Sequence, residues 1–122
     1  MKFEQELPIY LQIENLVKEK ILHSIWKSNE RIPSVREMAS TLEVNPNTVM
    51  RTYEKLQAAG IIDIQRGLGY FINQNAIKII MEEKMQKFKE DLPNLFITMK
   101  VLNIQPESLL SEYKNFMKQE SK

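Results

Sequence analysis

The chain has no cysteine and one histidine in 122 residues. Without cysteine there is no disulfide framework and no zinc knuckle, and one imidazole excludes the usual histidine-rich metal sites. No metal and no cofactor is therefore expected. No apolar run approaches the roughly 18 residues needed to span a bilayer, and the opening M-K-F-E-Q-E-L-P lacks the apolar core of a signal peptide. A cytoplasmic protein without a membrane partner is expected. A surplus of one charge sign is missing too: 17 Lys and Arg face 16 Asp and Glu, for a net charge of +1, and residues 1–75 carry nine of each sign. Nucleic-acid binders often show a clear basic excess, so composition gives no support to that class, and the case must rest on where the charges sit. Catalytic groupings are also lacking. There is no nucleophile beside a base, no carboxylate pair in an apolar setting and no metal cluster, which speaks against an enzyme.

What remains is ordinary for a globular chain, 43% apolar and 27% charged. The length allows one medium domain, or a small domain with an appendage.

The most informative stretch is 32–51, I-P-S-V-R-E-M-A-S-T-L-E-V-N-P-N-T-V-M-R. Ser34 with Glu37 three residues later reads as a capping box, in which each side chain takes an orphan backbone N–H. Asn45-Pro46 reads as a second helix start, with proline at the first helical position, where its missing N–H costs nothing. Between them a short helix carries the stripe Val35, Met38, Ala39 and Leu42. Two capped helices joined by three or four residues form a helix-turn-helix signature.

The spacing of Ile9, Ile13, Leu16, Val17, Ile21 and Ile25 predicts a preceding helix over 8–27, opened by Pro8 and sealed by Trp26. His23 reads as a surface or boundary residue, and Asn29 suits a left-handed turn. The helix after the corner is expected over 46–59, closed by Gly60, with Val49, Thr52, Tyr53 and Leu56 buried. That leaves Asn47, Thr48, Met50, Arg51, Glu54 and Lys55 facing outward. Asn, Thr and Arg on the first exposed turn are side chains that donate to phosphates and read base edges, and the helix N-terminus adds free N–H groups. The bland alternative is a capped surface helix without a ligand. Residues 62–72, I-D-I-Q-R-G-L-G-Y-F-I, read as a hairpin turning at Arg66-Gly67-Leu68-Gly69, the wing of a winged helix, with Arg66 at its tip suited to a minor groove or the backbone. Its Gly-x-Gly opens no helix in a βαβ setting and is no nucleotide loop.

From about residue 76 an apolar helical stripe runs through Ile77, Ile80, Met81, Phe88, Leu92, Leu95, Phe96 and Met99 to Leu102. Pro93 predicts a kink or break near Asp91-Leu92. Asn103 reads as a stop, and Pro106 starts a last helix carrying Leu109, Leu110, Tyr113 and Phe116. Forty-seven residues cannot bury such stripes alone and need a second chain or the back of the N-terminal domain; the first is preferred, so residues 76–122 are expected to form a helical dimerisation tail behind a DNA-binding domain over 1–75. A membrane-surface helix is the rival, but the polar face mixes acid and base.

P-I-Y-L-Q-I at 8–13, R-I-P-S-V-R-E-M-A at 31–39, V-N-P-N-T-V at 44–49 and R-G-L-G-Y-F-I at 66–72 together resemble the winged-helix domain of GntR-type bacterial transcription regulators. The short helical tail resembles the YtrA-like branch. The expected fold is mainly α with a small β-hairpin: a winged helix-turn-helix domain followed by a short C-terminal helical dimerisation segment. The resemblance implies a homodimeric repressor of a double-stranded DNA operator, and regulation of a transporter operon. It leaves a small-molecule effector open. The expected DNA-contacting set is Ser34, Arg36, Asn45, Asn47, Thr48, Arg51, Lys55, Arg66, Gly67 and Tyr70. Two departures stand out. Leu68 replaces a basic wing residue, shifting the wing contact to Arg66 and Tyr70, and Glu43 occupies a position where many members have glycine, at a cost on the order of 1 kcal/mol if left-handed. The rival from another class is a winged-helix protein-interaction module that binds no specific DNA.

Overall fold

The computed structural model describes residues 6–121. They form, in order, α1 (Ile9–Leu22), α2 (Val35–Leu42), α3 (Pro46–Ala58), β1 (Ile62–Gln65), β2 (Gly69–Ile72), α4 (Ala76–Leu102) and α5 (Pro106–Glu120). The chain divides into two units after Glu83.

α1 is shorter than its apolar spacing suggests. Pro8 caps it with extended backbone rather than entering it, and the helix ends at Leu22 instead of continuing to residue 27. The Ile25 amide donates to the Lys20 carbonyl (2.9 Å) and the Ser24 amide to that of Ile21 (3.1 Å), with Ser24 left-handed at φ 59°. This paired closure satisfies the last carbonyls and turns the chain back. Ile25 is consequently 60% exposed rather than part of the stripe. Trp26 packs against the core with the Lys20 ammonium 5.6 Å over its ring.

The same closure ends α2, α3 and α4, with Glu43, Gly60 and Asn103 in the left-handed position. Gly60 and Asn103 are residues that tolerate this conformation. Glu43, at φ 55° and ψ 49°, is in the left-handed conformation that costs glycine nothing. Glu43→Gly is expected to raise stability by about 0.5–1 kcal/mol, relief of the backbone penalty outweighing the extra freedom of the unfolded chain. Urea denaturation checks this, and an unchanged or lower midpoint would contradict it.

The first unit is built around Ile13, Val17 and Ile21 of α1, Met38 and Leu42 of α2, and Val49, Tyr53 and Leu56 of α3. Thr52, 1% exposed, satisfies its hydroxyl at the Thr48 carbonyl (3.0 Å), with the Tyr10 carbonyl 3.4 Å away across the α1–α3 crossing. Tyr53 donates its hydroxyl to the Pro33 carbonyl at 2.7 Å and sets its ring edge-on to Tyr70, centroids 4.9 Å apart. Burial, with Tyr70 and Glu37 nearby, pushes its phenol up, so it stays a donor. One residue thus ties α3 to the entry of α2 and to the hairpin.

β1 and β2 are antiparallel, pairing Ile62 with Ile72 and Gln65 with Gly69. The segment before α2 adds a short third edge: Arg31 bridges Phe71, the Ile32 amide donates to the Tyr70 carbonyl (2.9 Å), and the Ile72 amide donates to that of Glu30 (2.9 Å). Asn29 is left-handed there, at φ 67°.

α4 is one 27-residue helix that passes through Pro93, so of the kink or break expected near Asp91-Leu92 the break does not occur. Proline removes a single rung of the ladder, and the hydrogen bonds resume beyond it. Its start belongs to the first unit: Ala76 and Ile80 are fully buried, and Ile79 closes over Gly60. Ile80, expected on the dimer face, is therefore a core residue, because the stripe's opening turn faces the wing domain. Ile77 and Met81 remain exposed.

Candidate nucleic-acid interface

Two helix N-termini and a hairpin tip carry the polar residues of interest. At the start of α2 the capping box is fully formed: Ser34 Oγ accepts the Glu37 amide (3.1 Å), and Glu37 Oε1 accepts the Ser34 amide (3.1 Å). The backbone and side-chain bonds to Ser34, with Arg31 nearby, hold the Glu37 carboxyl below its ordinary range. Arg31 lies 3.6 Å from the same carboxylate. Ser34 keeps its own hydroxyl proton as a donor. Arg36 is exposed, one residue before this occupied carboxylate.

At the start of α3, Asn45 Oδ1 accepts the Asn47 amide at 2.8 Å, leaving the Asn45 amide nitrogen to donate elsewhere. Asn47 is exposed, Thr48 half-buried and Arg51 exposed. The Arg51 guanidinium carbon lies 5.1 Å above the Tyr10 ring. Lys55 is exposed, as expected, and its ammonium also reaches α1. Its ammonium is 5.7 Å over the Tyr10 ring and 3.0 Å from Glu14 Oε2.

Glu14 is the hub of the ion pairs behind this surface. Its side chain is 9% exposed and pairs with both Lys55 and Lys18 at 3.0 Å, while Lys18 also pairs with Glu83 at 2.8 Å. Burial pushes the Glu14 carboxyl up, but hydrogen bonds and charge from Lys18 and Lys55 outweigh it and hold it below the ordinary value of 4.5. Burial opposes the Lys18 charge, yet Glu83 and Glu14 keep its pKa above 10.5. Lys18 and Lys55 thus pair with Glu14 and Glu83 across α1, α3 and α4, whereas among the described residues no ion pair engages Arg36, Arg51 or Arg66. A neutral total conceals a sorted surface.

These pairs carry a pH signature. A carboxyl whose pKa is lower in the folded state stabilises the fold above its unfolded value and loses that contribution as pH falls through the folded one. The Glu14 contribution is therefore present at neutral pH and lost below about pH 4.5. The Lys18 contribution has the opposite sense and is lost only as pH rises beyond 10.5. Glu14→Gln is expected to cost about 1–2 kcal/mol at pH 7, by removing the carboxylate that Lys18 and Lys55 share, and to cost less as pH falls below 4. Thermal melts from pH 3 to 8 test this; an equal cost at both ends would contradict it.

The wing turns at Arg66-Gly67-Leu68, closed by the Leu68 amide on the Gln65 carbonyl (2.9 Å). Gly67 has φ 76° and open space around it, which suits close approach to a ligand backbone. Gly69, at φ 112°, is pressed by Arg31: a Cβ there would lie 3.0 Å from Arg31 Nε. Arg66 is exposed at the tip, and Leu68 is 62% exposed. Tyr70, expected to contact DNA, is half-buried with its ring against Tyr53, so it supports the wing from beneath.

The residues that reading along the chain missed are Tyr10 and Glu14. They lie one turn apart on α1, off the aliphatic stripe, so periodicity treated them as its polar flank. Only the α1–α3 crossing brings them to Arg51 and Lys55.

Three helices with a hairpin after the third, and a polar first turn on that third helix, define a winged helix-turn-helix DNA-binding domain. Residues 9–72 match the model of the bacterial regulatory proteins, gntR family, and the chain belongs to that family. It is a helix-turn-helix transcription regulator. It is 41% identical over 102 residues to the HTH-type transcriptional repressor YtrA of Bacillus subtilis, covering 84% of this chain and 78% of that one. The transcriptional regulator YhcF of the same organism is 36% identical over 94% of each chain. A GntR family transcriptional regulator from Listeria monocytogenes superposes with a TM-score of 0.78 at 30% identity, covering 93% of this chain and 98% of that structure. No helix among the described residues is long and apolar enough to cross a membrane, and no group of acidic or histidine side chains there could hold a metal ion.

Proposed function

We propose that the chain is a homodimeric repressor that acts in the cytoplasm on a pseudo-palindromic operator. The observation that carries this reading is the charge sorting: Arg36, Arg51 and Arg66 stand without an ionic partner among the described residues, at two helix starts and a wing tip, while Lys18 and Lys55 are paired with Glu14. Arg36, Asn47 and Arg51 supply base readout, and Thr48, Ser34, Asn45 and the first amides of α2 position the phosphates. Arg66 and the open backbone at Gly67 provide the wing contact. Lys55 and Tyr70 serve the architecture behind this surface.

The similarity to a named repressor supports repression over activation. The YtrA-like resemblance supports a transporter operon as the target. In the second unit, Phe88, Leu92, Leu95, Phe96 and Met99 of α4 line an apolar groove of about 520 Å³ with Leu109 and Tyr113 of α5, and no residue of α5 is buried. A second copy would cover that surface and place two recognition helices about a two-fold axis. Selection from random duplexes with the full chain is expected to enrich an inverted repeat. Recovery of unrelated sequences would overturn the reading.

The wing offers a gain-of-function test. Leu68→Arg should add one phosphate contact per subunit, tighten operator binding and steepen the salt dependence by about two across a dimer. A salt titration with an unchanged slope would place the Leu68 side chain away from the DNA.

A further inference from the structure

The basic residues of the recognition helix are held from outside it, by α1. The Arg51 guanidinium carbon is 5.1 Å, and the Lys55 ammonium 5.7 Å, from the centre of the same Tyr10 ring. The two cations stand one turn apart on α3, where like charges repel. Glu14, one turn beyond Tyr10 on α1, draws Lys55 to 3.0 Å. The crossing that sets these distances is itself fixed, since buried Thr52 reaches toward the Tyr10 carbonyl at 3.4 Å.

We propose that Tyr10 is a positioning residue for DNA recognition, its ring holding Arg51 ready for base contact while Glu14 removes Lys55 from competition. This rests on the reading of Arg51 as a base-contacting residue. The chemistry favours a ring over a carboxylate in this role. An arginine free in solvent loses much rotamer freedom when it docks, and holding it beforehand lowers that cost. A carboxylate partner would hold it by occupying the N–H fork. An aromatic ring attracts the cation through its π-face and accepts none of the strong in-plane hydrogen bonds, so the fork stays free for a guanine edge. The ring does not touch DNA in this scheme; it acts through Arg51.

The test is a double-mutant cycle on the full chain, with operator affinity read by fluorescence anisotropy and with oligomer mass and melting temperature as controls. Tyr10→Leu should weaken binding about 5- to 30-fold across a dimer, the effect of losing one exposed cation–ring contact per subunit. Tyr10→Phe, which keeps the ring, should bind within about two-fold of wild type. In an Arg51→Ala background, Tyr10→Leu should cost less than about two-fold, because the two residues act as one unit. Should leucine lower the melting temperature, Tyr10→Gln replaces it in the same cycle. Equal losses from the tyrosine change in both backgrounds, or a phenylalanine variant as weak as the leucine one, would overturn the positioning role while leaving Arg51 as a base reader. An Arg51→Ala variant that binds like wild type would overturn the underlying reading and the inference with it.

Discussion

Phe88→Glu combined with Phe96→Glu is expected to convert the proposed dimer to a monomer and to weaken operator binding by roughly 10²- to 10⁴-fold. Both rings lie on the groove between α4 and α5, 58% and 56% exposed. Burying two carboxylates in an apolar seam is far costlier than the loss of two rings alone. Two joined half-site readers make the second contact intramolecular, and the affinity gained that way disappears when the join is broken. Neither ring belongs to the first unit, so the winged-helix core should keep its melting temperature. Light scattering and anisotropy on the same sample decide the matter, and a dimer mass that persists would refute the assignment of this face.

Arg36→Ala and Arg51→Ala are each expected to cost about 1–3 kcal/mol per half-site, doubled in a two-fold complex, without loss of fold. Each side chain is exposed, and among the described residues neither makes an ion pair, so truncation strands no buried partner. The two kinds of contact separate by their signatures. Loss of a base-reading arginine relaxes preference at one position, whereas Arg66→Ala at the wing should weaken all sequences alike and flatten the salt dependence. A uniform loss from Arg51→Ala would reassign it to the backbone.

The signals that did lie in the chain are local ones. Ser34 with Glu37, and Asn45 with Pro46, announce their helix starts because a cap involves residues within three positions. The wing turn is announced by its glycines. Helix ends were harder to read, because the left-handed closure at Ser24 and Glu43 is dictated by tertiary packing rather than by a permissive residue. The short edge at Arg31 lies in a polar stretch with no alternation, and exists only because β2 offers it partners. Ile80 shows the limit of periodicity: a stripe states which residues share a face, never which neighbour covers it. Tyr10 and Glu14 show the same limit for the site. Their roles arise at a crossing between segments some 40 positions apart, as the Lys55–Glu14 separation of 41 illustrates.

The most direct test of specific recognition is the binding of the full chain, and of the Arg36→Ala/Arg51→Ala double variant, to the selected operator and to a scrambled duplex, by anisotropy between 50 and 200 mM salt. The expected result is an affinity that falls steeply and linearly on logarithmic axes, a wild-type preference for the operator, and a double variant that loses at least about 100-fold on the operator and much less on the scrambled duplex. A flat salt profile, or a double variant indistinguishable from wild type on the operator, would contradict it.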